Sequence, residues 1–294
     1  MEGAEGVKPL RRSEERNVIQ MAHGDGTVRI WDAGHGDEIE NSRMLQIDIA
    51  RALARYDNVN ITKLSMAGST GELAVGTTAG EVVLYRWGGN KLYGRDSTPE
   101  PHEMNPGSIT IITERAEPSL KEGLQPFALY DMAQGPITAL KMSDVGFVGI
   151  GSENGNFSIM DMRGPAVIFT SSTNEFAKAE KRSSFMKKGS AHSSGSDWPV
   201  VIEFGVLTLD GDSYSSVACF VGTHNGKVAT FKIIPESNGT YTAQFAGVTA
   251  LSDRVISINA ISPSSGKPTP ATGPTMAALR TGQQTQGTLV VGKY

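Results

Sequence analysis

The sequence predicts an all-β chain built from repeated antiparallel sheets, and three observations predict this class. Glycine is frequent, with 34 in 294 residues, and short apolar runs alternate with turn-forming residues. A turn motif recurs four times along the chain. Each copy places an apolar strand before the turn and an alternating strand after it, which is the pattern of a β-hairpin.

The four copies of the motif share one turn chemistry. They run from residue 22 (AHGDGTVRIWD), 76 (GTTAGEVVLYR), 151 (GSENGNFSIMD) and 222 (GTHNGKVATFK). Their turns close on Gly26, Gly80, Gly155 and Gly226. Asp-Gly and Asn-Gly precede three of the second strands, and these dipeptides favour hairpin turns because such turns need positive φ.

A single hairpin cannot bury its own faces, so repeated copies indicate blades packed around a central axis. The pairs His-Gly at 23–24 and Trp-Asp at 31–32 resemble the signatures of WD repeats. The sequence therefore predicts a partial β-propeller of WD-type four-stranded blades. Residues 288–292 (TLVVG) resemble the entering strand of a fifth copy, so we expect about four blades plus the start of a fifth, as a fragment of a larger propeller.

The turn glycines lie 54, 75 and 71 residues apart, against about 40–45 residues for a standard blade. We expect a flexible N-terminus over residues 1–17 and blades over 18–294, with long insertions. The insert 174–199 is basic and serine-rich and is predicted to be disordered, and the Pro-, Ser- and Gly-rich segment 262–274 is predicted to be a flexible loop. Residues 123–130 are predicted to enter the third blade, whose first strand is predicted at 136–140.

Composition limits the classes of function. The formal net charge is −4, so nucleic acid is not an expected partner. The single cysteine, Cys219, excludes an internal disulfide and lies in an apolar run, which predicts a buried structural thiol in a reducing compartment. No run approaches the ~18 apolar residues of a membrane span, so any membrane contact is expected to be peripheral.

Catalytic and cofactor motifs are not found. The five histidines are scattered without zinc-ligand spacing, and neither a nucleophile elbow nor a phosphate loop occurs. The glycines of Gly149-Ile150-Gly151 have the wrong spacing to Gly155 for a dinucleotide fingerprint and precede a strand. We therefore expect no catalytic residue, no metal and no cofactor. An enzyme that uses the propeller as a catalytic platform is the function that the sequence supports least.

The insert carries the strongest functional signal. Its basic side chains flank two serines: Lys178, Lys181 and Arg182 precede Ser183 and Ser184, and Lys187 and Lys188 follow. One interpretation is a solvated linker; the other is a phosphorylation switch. With Glu180 the net charge from 178 to 188 is +4, which would supply roughly 4 kcal/mol of attraction to an anionic leaflet. Two phosphates add about −3 to −4 and would cancel it.

Several runs, taken in order, resemble the lethal giant larvae family, and the later ones look closest to its fungal exocytosis members. They are residues 23–33 (HGDGTVRIWDA), 72–77 (ELAVGT), 123–127 (GLQPF), 146–150 (GFVGI) leading to 161–166 (DMRGPA), and 214–216 (YSS) leading to 222–223 (GT). The resemblance implies two tandem seven-bladed propellers, of which this chain would hold the end of the first and the opening half of the second.

The same resemblance implies partners and a location. Family members bind plasma-membrane t-SNAREs, the fungal ones also a secretory Rab GTPase, and the animal ones myosin II. We therefore expect a non-enzymatic cytoplasmic scaffold of SNARE-dependent exocytosis, peripherally associated with the plasma membrane. The alternative is a phosphorylation-gated membrane protein of cell polarity: atypical protein kinase C phosphorylates the animal insert, and Ser183 and Ser184 match that pattern best, although animal inserts carry more basic residues.

Overall fold

The computed structural model describes residues 17–34, 44–55, 57–95, 97–101, 105–176 and 196–294. The chain forms two compact units, Met1–Ala133 and Gln134–Tyr294. No helix within the described ranges has both the length and the apolar character needed to cross a membrane. Almost all regular structure is antiparallel β-sheet, as the glycine-rich repeats predicted.

The first unit contains two sheets. The first consists of β1 (Asn17–Ala22), β2 (Thr27–Gly34) and β3 (Met44–Asp48), followed by the short helix α1 (Ile49–Ala52). The second contains β4 (Ile61–Ala67), β5 (Glu72–Thr77), β6 (Glu81–Gly89), β7 (Ile109–Ile111) and β8 (Glu122–Asp131), in the order β4-β5-β6-β8-β7. A 3-10 helix, Thr113–Arg115, lies between β7 and β8.

The second unit contains two four-stranded sheets and a final pair. They are β9 (Ile137–Met142), β10 (Phe147–Ser152), β11 (Asn156–Asp161) and β12 (Ala166–Ser172), then β13 (Pro199–Thr208), β14 (Ser215–Thr223), β15 (Lys227–Pro235) and β16 (Tyr241–Ala250). The pair is β17 (Val255–Ile261) and β18 (Thr288–Lys293), with helix α2 (Gly273–Arg280) between them. Such meanders are the blades of WD-type propellers, which confirms the predicted fold class.

The four turn glycines close equivalent hairpins, β1-β2, β5-β6, β10-β11 and β14-β15. Their φ angles are +80° at Gly26, +90° at Gly80, +83° at Gly155 and +78° at Gly226, the region for which the pattern predicted glycine. In each sheet, the glycine carbonyl accepts a hydrogen bond from the residue that directly follows the strand paired with the second strand of the hairpin. The donors are Ile49 N (3.2 Å), Met132 N (3.0 Å), Thr173 N (2.9 Å) and Leu251 N (2.6 Å).

The cores are built on inner strands that are buried on both faces. All residues of β5, β10 and β14 are buried, whereas β12 and β18 at the sheet edges have no buried residue. Added Cβ atoms at Gly149 and Gly151 would lie 2.7 Å from Ile202 Cγ2 and 2.5 Å from Pro199 Cβ. These two glycines therefore let β13 pack on the backbone of β10, a structural use that accounts for the Gly-Ile-Gly run.

Two strand predictions have different outcomes. Residues 123–130 do not enter the third blade; they lie in β8, which pairs with β6 and completes the second sheet. The error arose because this blade carries a long segment between its third and fourth strands, so chain order suggested the next blade. The strand predicted at 288–292 is β18. It pairs with β17 in the way that the second strand of each preceding blade pairs with the first, so it takes the place of the second strand of a further blade.

The segment 262–274 follows a defined path. Ser262 N donates to Lys267 O at 2.8 Å, and Thr269 N donates to Ala260 O at 2.8 Å. Its last two residues belong to α2, because Thr272 caps the helix with its side chain and Pro274 suits the first turn. Its flexibility remains a prediction.

Candidate functional site at the base of the basic insert

The residues predicted to act as a switch lie outside the described residues. These are Ser183 and Ser184 with Lys178, Lys181, Arg182, Lys187 and Lys188, all within 177–195. The structure describes the chain up to Phe176 and again from Ser196. The candidate site is therefore the base of the insert, which we define as residues 173–176 and 196–199 with the side chains that they contact.

The first half of the base is fixed by an aromatic side chain. Residues 173–176 form a helical turn directly after β12. Phe176 is 1% exposed and lies in an aromatic cluster, with ring centroids 5.7 Å from Phe231 and 6.5 Å from Phe245. The first residues of the segment predicted to be disordered therefore have a defined place, because burial of a large apolar ring stabilises their turn. The disorder of the segment remains a prediction.

The second half is fixed by Asp197, whose side chain is 6% exposed. One carboxylate oxygen accepts from Asn225 N at 2.9 Å, and the other lies 3.3 Å from Lys227 Nζ. Both partners belong to the turn and third strand of the following blade. A buried carboxylate requires such partners, since an unpaired charge in this position would be strongly destabilising.

Trp198 adds a ring contact to the same turn. Its indole stacks on the imidazole of His224, with centroids 4.1 Å apart and an interplanar angle of 16°. His224 N also donates to Trp198 O at 2.9 Å. His224 therefore has a structural role in this turn. Pro199, the last residue of the segment predicted to be disordered, begins β13.

A direct hydrogen bond joins the two halves of the base. Thr173 Oγ1 donates to Asp197 O at 2.7 Å, and both groups lie against the backbone of Gly155. A Cβ added to Gly155 would lie 2.6 Å from Asp197 O and 2.7 Å from Thr173 Oγ1. The glycine turn of one blade thus provides the space in which the two ends of the insert meet.

Sequence reasoning missed Thr173, Asp197 and Trp198. The available signal was local: an Asp-Trp-Pro run directly before the apolar residues 200–207 (VVIEFGVL) is a poor candidate for disorder. The contacts themselves join residues 24 to 30 positions apart. Nothing in a single sequence specifies such pairs.

The base has the chemistry of an anchor. The Asp197 carboxylate, the Lys227 ammonium and the Thr173 hydroxyl are paired with one another or with backbone groups. Among the residues that the structure describes, no group of three His, Cys, Asp or Glu side chains converges as metal ligands would.

Cys219 is fully buried in β14, and this burial raises the pKa of its thiol well above the usual value. The prediction of a buried thiol is confirmed.

Comparison with known proteins decides the family. The model for the C-terminal part of lethal giant larvae-like proteins matches residues 58–293, well over half of the chain. The chain belongs to the lethal giant larvae family. The matched range begins just before β4 and includes the base of the insert, so the family assignment covers every element from the second blade onward.

Two fungal relatives match most of the length of this chain. The Lethal(2) giant larvae protein homolog SRO77 of Saccharomyces cerevisiae is 28% identical over 291 residues, covering 95% of this chain and 27% of that protein. An uncharacterized protein of Schizosaccharomyces pombe is 27% identical over 240 residues, covering 80% of this chain and 22% of that protein. The chain thus spans about a quarter of the length of these two relatives.

Two solved structures match most of the length of this chain. The WD40 domain of SCAP from fission yeast has a TM-score of 0.40 at 12% identity, over 80% of this chain and 42% of that one. The structure of U3-55K has a TM-score of 0.40 at 10% identity, over 79% and 50% respectively. The blade architecture of this lethal giant larvae member rests on its own strand pairings.

Proposed function

We propose that the chain is part of a non-enzymatic scaffold that regulates SNARE-dependent exocytosis by binding t-SNAREs and a secretory Rab GTPase. The observation that carries the proposal is the family match over residues 58–293, which agrees with the motif order that suggested the same family. The paired side chains at the base of the insert support a scaffold, because they hold the chain in place.

Retention of purified t-SNARE cytoplasmic domains on the immobilised chain tests this function. We expect t-SNAREs to be enriched over empty beads and over a WD-type propeller of another family. We also expect a secretory Rab to be retained more strongly with a non-hydrolysable GTP analogue than with GDP. Retention equal to both controls, for both partners, would contradict the proposal.

The insert favours a second function, a phosphorylation-gated peripheral membrane protein of cell polarity that also binds myosin II. The supporting observation is the closed base: the Thr173–Asp197 hydrogen bond brings the ends of the insert together between two consecutive blades of the second unit. Charge in the insert would then act from a fixed position, at the cytoplasmic face of the plasma membrane. In this function SNARE binding is secondary.

Flotation with anionic liposomes separates the two functions. The double variant Ser183→Glu with Ser184→Glu makes the charge of the insert more negative by two. Because each charge contributes about 1 kcal/mol of attraction to an anionic membrane, we expect the variant to bind the liposomes about 30-fold more weakly than wild type. The matched control is Ser193→Glu with Ser194→Glu, which makes the same change outside the basic cluster. Equal liposome binding by wild type and both variants would contradict the phosphorylation-gated function and leave the scaffold as the proposed function.

A further inference from the structure

A solvent-open cleft lies within the first unit. It is bordered by β3 and α1 on one side and by β6, β8 and the 3-10 segment on the other. Its walls combine aliphatic side chains, among them Ile47, Leu120 and Leu124, with polar and charged groups. The cleft therefore offers both an apolar surface and hydrogen-bonding groups.

Two neutral polar side chains in the wall are buried without hydrogen-bond partners. Tyr85 is 1% exposed, and no described residue hydrogen-bonds its hydroxyl. Both the amide nitrogen and the amide oxygen of Gln125 are likewise without a partner in the described parts of the chain. Burial raises the pKa of Tyr85 well above its usual range, and the nearby Asp48 carboxylate raises it further, so the hydroxyl keeps its proton.

The charged groups of the cleft, in contrast, already have partners. Arg51 Nη2 donates to Ser97 O at 2.8 Å and to Ala116 O at 3.1 Å. Arg115 Nη1 donates to Ala52 O at 2.9 Å. The Asp48 carboxylate accepts from backbone N–H groups of α1. Tyr85 and Gln125 therefore contribute neutral hydrogen-bond donors and acceptors to the wall of the cleft.

We propose that this cleft binds a carboxamide carried on an aliphatic stem, as in a glutamine side chain. A carboxamide has one acceptor and one donor group, so it complements the Gln125 amide in a paired arrangement and leaves a lone pair for the Tyr85 hydroxyl. The aliphatic wall contacts the stem. The Gln125 amide turns toward the ligand about its terminal torsion, which has a broad profile. A carboxylate ligand lacks the donors and meets no free cation.

Titration of the isotope-labelled full chain, followed by amide resonances, tests the proposal. The probe is N-acetyl-glutamine N-methylamide, compared with the corresponding glutamate and leucine compounds and with free glutamine. We expect saturable shifts at the cleft residues with the glutamine probe, and at least about fivefold weaker binding for glutamate and leucine, from the loss of one neutral hydrogen bond or more. Free glutamine binding as tightly as the blocked probe identifies a free metabolite as the ligand; weaker binding identifies a glutamine side chain in a peptide.

Tyr85→Phe supplies a second readout. We expect about fivefold weaker binding of the glutamine probe with an unchanged or higher unfolding midpoint, because the variant removes a buried hydroxyl that has no protein partner. Tyr93→Phe is the matched control, since Tyr93 lies in the same unit, is half exposed and does not line the cleft. Absence of saturable shifts, equal binding of the three blocked probes, full affinity in Tyr85→Phe, or a clearly lower midpoint for that variant would each overturn the proposal.

Discussion

Gly226→Ala is the perturbation for which the structure gives the sharpest expectation. Gly226 closes the β14-β15 turn with φ of +78°. A Cβ at this position would lie 2.5 Å from Asp253 O and 2.9 Å from Leu251 O, where ordinary contact begins at 3.4 Å. Both oxygens are backbone atoms, so they cannot turn away as a side chain would. The loop between β16 and β17 would have to move by about 0.9 Å.

Gly211 provides a matched control in the same unit. It has φ of +83°, but a Cβ there would meet no atom within 4 Å. Gly211→Ala is therefore expected to lower the free energy of unfolding by about 1–2 kcal/mol, the cost of a left-handed backbone for alanine. The stiffer unfolded chain offsets about 0.4–1 kcal/mol of this loss. Gly226→Ala carries the same terms plus about 1–3 kcal/mol for the steric conflict. The difference between the two variants isolates the contact with the loop between β16 and β17.

Thermal unfolding followed by circular dichroism measures this difference. One kcal/mol shifts the midpoint of a unit of this size by about 2–4 °C, so Gly226→Ala is expected to unfold roughly 2–12 °C below Gly211→Ala. Both variants are compared with wild type at one protein concentration. Coinciding midpoints for the two variants would refute the steric reasoning, because they share every other term.

Three further predictions concern the second unit. Thr173→Val removes the hydroxyl that donates to Asp197 O, and urea titration should show about 1 kcal/mol lower unfolding free energy; no loss would mean that this hydrogen bond does not hold the base. Cys219 should not react with Ellman's reagent in the folded chain, because its thiol is buried. Folding raises the pKa of this thiol, so the free energy of unfolding should be constant below the pKa of the thiol in the unfolded chain, about 8.5, and should fall as the pH rises above it. Cys219→Ala should lack this dependence on pH. Arg163→Lys should lower the unfolding free energy by about 1 kcal/mol, because the guanidinium lies 4.1 Å from the Tyr241 ring centroid and pairs with Asp161 through two nitrogens; an unchanged urea midpoint would contradict this.

The hairpins were predictable because their requirements are local. Positive φ at Gly26, Gly80, Gly155 and Gly226 is a demand of the turn itself, and glycine meets it without steric cost. The alternation in β2 is local as well: Val28 and Ile30 are fully buried, whereas Arg29 between them is not. Motif order along the chain was enough to suggest the family that the comparison established.

The base of the insert and the cleft depended on contacts between distant residues. Asp197 lies in a polar stretch, and only the approach of Asn225 and Lys227 turns that stretch into an anchor. In the sequence, Tyr85 has the features of an ordinary aromatic residue in a strand. Only the packing of the neighbouring sheet and the 3-10 segment buries its hydroxyl without a hydrogen-bond partner.

The sequence by itself determined the strands, the turns between them and the family of this protein, because backbone conformation and alternating hydrophobicity act over a few neighbouring residues. Only the tertiary structure decided which blade receives β8, where the ends of the insert meet, and which buried polar groups remain unpaired. Those outcomes depend on packing between elements that are far apart in the chain, where hydrogen bonding and burial are settled by the whole unit.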